Sequence, residues 1–276
     1  MEKSAFLIGD LRTFITVIMS SYNYRNFLSI AVESVLNQTF EDFELIIVDD
    51  GSYDGSQEMI RNFAECDSRI LPVFNETNLG ISKTFNKALQ HAKGIYCATI
   101  SSDDRWKPDK LRLQIEMLEK FPDAIVWSEG DVINARGELT GNSFTGMIQA
   151  SERPKSGNIF QELLKSHHIF GSSRIAKTSS LQRFTRNERL LYLNDYLQNI
   201  ELALHYPFCF IPQPLAEYRI HGLNTAIRDK KGYFRDSLYL CRYLLTTYGH
   251  RMTLQDMSHV MMYPVRSYYS LIKTSA

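Results

Sequence analysis

Short apolar runs alternate with segments of helical periodicity along the first 130 residues. Runs without an internal charge are typical of strands that are covered on both faces of a sheet. We predict strands over Phe14 to Met19, Leu45 to Val48, Ile70 to Phe74, Ile95 to Ile100 and Ala124 to Trp127. Pro72 cannot donate a hydrogen bond to a neighbouring strand, so the third of these belongs at a sheet edge.

Three apolar stripes at helical spacing fall between these strands. They start near Phe27, Ile60 and Phe85 and indicate helices that bury one face. Gly94 suits a helix C-terminus and Pro108 a first turn. This alternation predicts an α/β fold with a mostly parallel sheet flanked by helices.

The second half of the chain carries weaker patterns. Glycine, serine and threonine accumulate from Asn134 to Asn158, where we predict a mobile loop that acts as a lid. Further elements are predicted as helices over Ile159 to Lys165 and Tyr192 to His205, strands over Phe208 to Ile211 and Leu215 to Arg219, and terminal helices over Tyr233 to Tyr248 and Leu254 to Tyr269. Pro264 is expected to kink or break the last helix.

The charge of the chain is balanced. Thirty-one lysines and arginines match 31 aspartates and glutamates, so no overall field attracts nucleic acid and any anion must be bound locally. The four cysteines form no CxxC pair, which argues against a zinc site and a disulfide framework. Neither a signal core nor an apolar run of ~18 residues is present, so we expect a cytoplasmic protein, soluble or peripheral to a membrane.

Polar residues follow three predicted strands at the point where each strand ends. They are Ser20, Tyr22 and Asn23 after the first, Asp49 and Asp50 after the second, and Ser101, Ser102, Asp103 and Asp104 after the strand that ends at Ile100. Because ligands of open α/β sheets bind at the carboxyl ends of the strands, we expect these residues to line one crevice.

Each acidic cluster has an ordinary and a functional interpretation. The segment at Asp50 is either a strand-to-helix turn or part of a nucleoside pocket, in which the carboxylate accepts a base N–H and Tyr22 stacks on the base. Asp103 and Asp104 form either a surface turn or a cation site, since a bound cation offsets the repulsion between carboxylates. Magnesium or manganese suits such a site, because these ions complete their shell with diphosphate oxygens and water.

The order of five segments resembles glycosyltransferase family 2, the inverting enzymes of the GT-A fold. The segments are Thr16 to Asn23, Ala31 to Phe40, Phe43 to Ser52, Asn78 to Ser82 and Ser101 to Asp109. The resemblance covers residues 13 to about 222. It implies a GT-A domain over residues 1–222, with a nucleotide-binding half at about 13–130 and an acceptor half at about 131–222, followed by a C-terminal helical extension over residues 223–276.

The resemblance also implies roles for the donor side. Ser20, Tyr22 and Asp50 match positions that hold the donor nucleoside, and Asp103 matches the metal-binding aspartate of the family's DxD motif. Ser101 replaces the first acid of that motif, so fewer carboxylates are available to a metal. Asn23, Ser102 and Lys83 complete the candidate nucleotide site, with Asp104 supporting the metal position, although Lys83 equally fits a solvated helix lysine.

Two later segments match the family's catalytic and closing motifs. Asp195 matches the aspartate of the Glu-Asp pair that heads a helix, with Asn194 in place of the glutamate. It is the candidate general base, or alternatively a first-turn carboxylate. In the closing strand, Arg219 is expected to pair with the diphosphate and His221 to approach the metal or diphosphate, unless the histidine is structural.

The implied reaction moves a sugar from a nucleotide-diphosphate donor, with a UDP-sugar favoured, to a hydroxyl of a glycan or lipid-linked acceptor. A divalent cation, Mn²⁺ or Mg²⁺, neutralises the departing diphosphate. Two alternatives stay open: a nucleotide-sugar-binding module without catalysis, motivated by Ser101 and Asn194, and a sugar nucleotidyltransferase. The absence of a glycine-rich basic loop after the first strand disfavours the second.

The terminal segment from Lys230 to Leu245 combines basic and apolar residues. It predicts an amphipathic helix that packs on the main domain or lies as a peripheral contact on a membrane.

Overall fold

The computed structural model describes residues 14–148, 155–222, 224 and 229–273. The strands are β1 (Ile15–Ser21), β2 (Phe43–Asp49), β3 (Ile70–Phe74), β4 (Tyr96–Ser101), β5 (Arg105–Trp106), β6 (Ile125–Ile133), β7 (Leu139–Ser143), β8 (Ile175–Lys177) and β9 (Phe208–Arg219). The helices are α1 (Arg25–Leu36), α2 (Ser56–Cys66), α3 (Ile81–His91), α4 (Lys110–Lys120), α5 (Phe144–Met147), α6 (Phe160–Lys165), α7 (Thr178–Arg183), α8 (Asn194–Ala203), α9 (Lys230–Tyr248) and α10 (Leu254–Lys273).

These strands form one mixed sheet in the order β3-β2-β1-β4-β8-β6-β9-β5, with β7 paired to β6. The first four strands are mutually parallel. Strand β8 runs antiparallel to both β4 and β6, so β6 points in the same direction as β4. Strand β9 is parallel to β6. The carboxyl ends of β1, β2, β4, β6 and β9 therefore meet at one edge of the sheet, and β3 lies at an end of the order, as Pro72 predicts.

Alternate residues of the central strands supply two separate cores. On β1, Ile15, Val17 and Met19 belong to a buried cluster with α1, α2 and α4, whereas Ile18 belongs to a second cluster with α3, α6 and α8. This division follows from the two-residue period of a strand, which points successive side chains to opposite faces. Helices on both faces explain why the strand sequences are apolar at almost every position.

The short strand β5 fixes the position of the segment that precedes it. It pairs antiparallel with β9, with Arg105 opposite Glu217 and Trp106 opposite Ala216, and the Arg105 and Glu217 side chains form an ion pair. The residues directly before β5 therefore lie beside the end of β9. Sequence periodicity gave no indication of a two-residue strand, because its partner is more than 100 residues away.

Three expectations from the second half of the chain need correction. The segment from Asn134 to Asn158 contains β7 and α5 rather than a continuous loop, and its residues 149–154 lie outside the described part. The two strands expected on either side of Pro212 form one strand, β9, with register shifts opposite Ser128, Glu129 and Gly130. Helix α10 continues through Pro264 without a break.

The terminal helices pack on the main body of the protein. Leu240 and Leu244 of α9 and Val260 of α10 are buried in the same cluster as Leu197 and Ile200 of α8. The apolar stripe of the basic segment therefore faces a protein core. Among the described residues, no helix is long and apolar enough to cross a membrane.

Candidate active site

A cleft of about 850 Å³ opens at the carboxyl edge of the sheet. It is lined by residues at or just beyond the ends of β1, β2 and β4. Residues from the loops before α3, α8 and α9 also line it. The lining includes Ser20, Tyr22, Asn23, Asp50, Tyr53, Gly80, Ser102, Asp103, Asp104, Tyr192 and Asn224. The crevice predicted from the three polar clusters is therefore present, because parallel strands end at the same side of the sheet.

The Asp50 carboxylate organises the wall of the cleft between β2 and α3. Its Oδ1 accepts hydrogen bonds from the Leu79 N–H at 2.8 Å and from the Asn75 amide at 2.9 Å, and its Oδ2 accepts one from the Gly80 N–H at 2.9 Å. Gly80 has φ +87°, a backbone conformation that residues with a Cβ rarely adopt. The buried charge is thus compensated by three donors, and unused lone pairs of its oxygens can accept a further N–H.

Tyr22 stands at the rim of the cleft with 40% of its surface exposed. The next residue, Asn23, has φ +55°. Its N–H donates to the Ser52 hydroxyl at 2.9 Å, and its side-chain oxygen accepts from the Tyr53 N–H at 3.0 Å. These bonds join the ends of β1 and β2, and the Tyr22 and Tyr53 rings meet edge to face with centroids 6.5 Å apart. An exposed ring held by a fixed backbone is suited to stacking on a planar ligand.

Asp103 lines the same cleft and forms a buried pair with His221. The Asp103 Oδ2 and the His221 Nε2 are 3.0 Å apart. The imidazole packs on the Phe27 ring, with centroids 4.5 Å apart, and meets the Tyr24 ring edge on. Because β5 pairs with β9, the segment after β4 and the segment after β9 are forced into contact.

Asp104 also lines the cleft, and each of its carboxyl oxygens accepts a hydrogen bond from the protein. Its Oδ2 accepts from the Ser172 hydroxyl at 2.5 Å, and its Oδ1 accepts from the Arg219 N–H at 3.1 Å. Burial, reinforced by the adjacent Asp103 carboxylate, raises the pKa of Asp104 well above its usual range. Asp104 therefore ties the Asp103 segment to the Ser172 hydroxyl and to the backbone of Arg219.

The pair of Asp103 and His221 has the composition of a partial metal site. No group of three or more metal-ligating side chains occurs in the ranges described. One carboxylate and one imidazole still fit Mg²⁺ or Mn²⁺, since such ions use few protein ligands beside a substrate diphosphate and water. The neighbouring Ser102 hydroxyl is buried without a hydrogen-bond partner, which leaves a further oxygen donor at the same wall.

Asp195 lies in a smaller pocket of about 240 Å³ that adjoins the cleft. The two cavities share Ser20, Ile81, Ser101, Leu191 and Tyr192 in their walls. Asp195 is in the first turn of α8, where its Oδ1 accepts from the Tyr196 N–H at 2.8 Å, and its side chain is 23% exposed. Its Oδ2 lies 3.8 Å from the His167 Nε2 and accepts no hydrogen bond in the described ranges.

Lys83 and Arg219, which are expected to contact the donor, line neither of the two cavities. Lys83 is exposed on α3. Arg219 is 1% exposed, its Nε donates to the Asp103 carbonyl at 2.7 Å, and its Nη1 reaches the Asn134 carbonyl at 3.3 Å. Burial also lowers the pKa of Arg219. The guanidinium thus holds the loops behind Asp103 together.

Three residues at the site have no signal in the sequence. Asn75 holds Asp50, His167 places its Nε2 3.8 Å from the Asp195 Oδ2, and Arg186 lines the smaller pocket. Burial lowers the pKa of His167, which favours its neutral form. His167 and Arg186 occur in segments without clear periodicity, and arginines and histidines of such segments are usually solvated, so no pattern distinguished them.

The sequence profile described as Glycosyl transferase family 2 matches residues 16–185. This match covers more than half of the chain, so the protein belongs to glycosyl transferase family 2. An uncharacterized glycosyltransferase of Methanocaldococcus jannaschii is 30% identical over 231 residues, which are 82% of this chain and 78% of that relative.

Two further relatives match over shorter stretches. TuaG of Bacillus subtilis, a putative teichuronic acid biosynthesis glycosyltransferase, is 43% identical over 104 residues, 38% of this chain and 41% of TuaG. WfgD of Escherichia coli, a UDP-Glc:alpha-D-GlcNAc-diphosphoundecaprenol beta-1,3-glucosyltransferase, is 34% identical over 139 residues, 50% of this chain and 52% of WfgD. The matched stretches thus span about half or less of the length of these two relatives.

Solved structures share the fold. Staphylococcus aureus TarS 1–349 in complex with UDP-GlcNAc has a TM-score of 0.69 at 16% identity and covers 93% of this chain and 73% of its own. The mannosyltransferase PcManGT of Pyrobaculum calidifontis, in complex with GDP-Man and Mn²⁺, has a TM-score of 0.65 at 17% identity and covers 92% of this chain and 70% of its own. The predicted α/β fold of the GT-A type is confirmed.

Proposed function

We propose that this protein transfers a sugar, with inversion, from a UDP-sugar to a hydroxyl of a glycan or lipid-linked acceptor. Membership of a glycosyltransferase family supports the reaction class. The TarS complex contains UDP-GlcNAc, and the name of WfgD gives its acceptor as a sugar on diphosphoundecaprenol. The division into a GT-A domain over residues 1–222 and a helical extension over residues 223–276 is part of this proposal.

The donor nucleoside occupies the wall formed by β1 and β2. Tyr22 stacks on the base, and Asp50 accepts the ring N–H of uracil with a lone pair that its three protein donors leave unused. Ser20, Asn23 and Ser102 contribute polar groups that line the same cleft. The rigid position of Asp50 supports this role, since a preorganised acceptor loses little entropy on binding.

The diphosphate lies against Asp103 and His221, the two residues that would hold a divalent cation. The Mn²⁺ ion in the PcManGT complex and the carboxylate and imidazole donor set of this chain support a metal. A cation held by these two residues would supply positive charge opposite the departing diphosphate. Arg219 and Asp104 keep Asp103 in place through the contacts at its backbone carbonyl and at the Arg219 N–H.

Asp195 accepts the proton of the acceptor hydroxyl as that oxygen attacks the anomeric carbon. The Asp195 Oδ2, which accepts no hydrogen bond in the described ranges, is near the neutral imidazole of His167 and opens on the pocket that adjoins the cleft. A general base has to reach the attacking hydroxyl from the side opposite the leaving group. In support of this role, Asp195 lines the smaller pocket whereas Asp103 lines the larger cleft.

One observation carries the proposal: Asp50, Asp103 and Asp195, from three distant segments, line two cavities that share a wall. The test is to incubate the protein with Mn²⁺, a panel of UDP-sugars and GDP-mannose, and a GlcNAc-diphospholipid acceptor, and to measure nucleoside diphosphate release. Acceptor-dependent UDP release supports the proposal. Pyrophosphate release would indicate a nucleotidyltransferase, and tight UDP-sugar binding without turnover would indicate a binding module.

A further inference from the structure

The smaller pocket contains a buried cation that the proposed reaction does not use. Arg186 lies in the loop between α7 and α8, is 9% exposed and lines this pocket together with Asp195. Its Nε is buried without a hydrogen-bond partner. Across the described ranges, its guanidinium forms neither a hydrogen bond nor an ion pair.

The Arg186 guanidinium is held by a ring rather than by a counter-ion. Its Cζ lies 3.8 Å from the centroid of the Phe85 ring, which also lines the pocket. A guanidinium stacked on an aromatic face directs its N–H groups outward from its edge. Such a planar fork matches the two oxygens of a carboxylate.

The charges around Arg186 leave an excess of positive charge. Burial lowers the pKa of Arg186 to about 10, an effect that the Asp195 carboxylate opposes and that Arg174 adds to. Arg174 is itself 2% exposed, and its guanidinium hydrogen-bonds the side-chain amide oxygens of Asn199 and Gln198. Two buried cations thus face one acidic group, and a buried charge without a partner is costly.

The size and position of the pocket identify the ligand group. Its volume of about 240 Å³ is below the ~300–1,000 Å³ of cavities that enclose drug-sized molecules, so it suits a single sugar ring rather than a nucleotide. It shares a wall with the donor cleft, and both Asp195 and Arg186 line it. The unit bound there is the sugar of the donor, since the nucleoside and diphosphate occupy the larger cleft.

We propose that Arg186 pairs with a carboxylate on the transferred sugar, so that the donor is a UDP-linked uronic acid. This inference rests on the proposed function and adds the chemical class of the sugar. No bond is made or broken by Arg186, which is a specificity determinant. A neutral hexose leaves the guanidinium unpaired in a buried pocket, whereas a uronic acid supplies charge-assisted hydrogen bonds.

The test compares UDP-sugars that differ only in a carboxylate. Dissociation constants are measured by calorimetry for UDP-glucose against UDP-glucuronate and for UDP-galactose against UDP-galacturonate, with UDP as the ligand that lacks a sugar. We expect the acidic member of at least one pair to bind roughly tenfold to a hundredfold more tightly. Equal or weaker binding of both acidic members overturns the inference.

Variants separate Arg186 from other cations. Arg186→Met removes the preference for the acidic sugar, Arg186→Lys retains part of it, and Arg183→Met, which removes an exposed arginine on α7, retains all of it. Retention of the full preference in Arg186→Met overturns the inference. The loop is expected to stay folded, because Asn86 holds it through the backbone N–H and carbonyl of Arg186.

The outcome for UDP separates the two proposals. UDP binding by the wild type supports the donor site of the proposed function whichever sugar is preferred. A wild type that binds UDP and prefers the neutral sugars contradicts only the assignment of Arg186. A wild type that binds neither UDP nor any UDP-sugar contradicts the proposed function itself, and the assignment of Arg186 falls with it.

Discussion

The Asp103 Oδ2 and the His221 Nε2 lie 3.0 Å apart, although 118 residues separate them in the chain. The contact depends on β5, whose two residues pair with β9 and carry the Asp103 segment to the end of that strand. A carboxylate and an imidazole at this distance are near enough to ligate one divalent cation. Whether the pair holds a metal is therefore open to direct measurement.

Removing either member of the pair should weaken metal-dependent nucleotide binding. We expect Asp103→Asn and His221→Gln to reduce the Mn²⁺-dependent affinity for UDP by roughly tenfold or more. The measurement is the rise in melting temperature with UDP and Mn²⁺ together, relative to UDP with a chelator. Asp123→Asn, at an exposed ion pair with Lys177, is the control. A full Mn²⁺-dependent rise in both variants would contradict the metal assignment.

Replacing the candidate base should affect turnover more than donor binding. We expect Asp195→Asn to lower kcat by roughly 10²–10⁴-fold, the usual contribution of a general base. UDP binds in the adjoining cleft, so its dissociation constant should change little. Single-turnover measurements of UDP release, with Asp123→Asn as the matched substitution, test this. A kcat within threefold of the wild type, at equal protein stability, would remove Asp195 from the mechanism.

Gly51 should be intolerant of a side chain because the backbone approaches it closely. Its φ is +77°, and a Cβ there would lie 2.9 Å from the Thr77 carbonyl carbon. Gly141 is the matched control, since its φ is +80° and nothing lies within 4 Å of its Cβ position. Both alanine variants incur ~1–2 kcal/mol of backbone strain, and Gly51→Ala adds ~1–3 kcal/mol of overpacking. Urea denaturation should give a lower free energy of unfolding for Gly51→Ala than for Gly141→Ala. Equal free energies would show that the close approach of Thr77 to Gly51 adds no cost.

Lys110 should make the stability of the protein rise with pH at pH values below 10.5. Its Nζ is 3.9 Å from the Trp106 ring centroid and 2.7 Å from the Gln114 Oε1. Burial lowers the pKa of Lys110 well below its ordinary value of 10.5. The unfolded state therefore binds more protons between the two pKa values, and the free energy of unfolding rises as the pH rises through that window.

The corresponding variant is Lys110→Met, which keeps the apolar stem and removes the titrating group. We expect its free energy of unfolding to rise less steeply than that of the wild type as the pH increases from the lowered pKa of Lys110 to 10.5. The difference in slope is at most about 1.4 kcal/mol per pH unit, the value for one proton. The free energy of unfolding of both proteins is measured by urea denaturation across this pH range. Parallel curves for the two proteins would show that Lys110 does not cause the pH dependence.

The early strands and the Asp50 and Asp103 clusters could be read from the chain because their signals are local. An uncharged run predicts a buried strand, and the carboxyl end of a parallel strand is a defined position in the fold. Asp50 and Tyr22 therefore fell into one cleft as expected. The segment from Asn134 to Asn158 was misjudged because β7 gains its stability from pairing with β6 rather than from its own composition.

Two arginines, Arg219 and Arg186, show what sequence patterns do not determine about a side chain. Arg219 was expected to reach the diphosphate from its place in the closing strand, and the structure directs its Nε to the Asp103 carbonyl instead. No sequence pattern marks Arg186, yet it lines the same pocket as Asp195. Motif position identifies the strand that carries a residue, but not the direction of a long flexible side chain.

The chain by itself determined the alternation of strands and helices, the location of the acidic clusters and the family, because these depend on residue types a few positions apart. The tertiary structure decided which clusters touch, which charges lose their solvent and which donors stay unpaired. Those outcomes depend on pairings such as β5 with β9 and on burial, which arise from contacts between residues about 100 positions apart and leave no periodic trace along the chain.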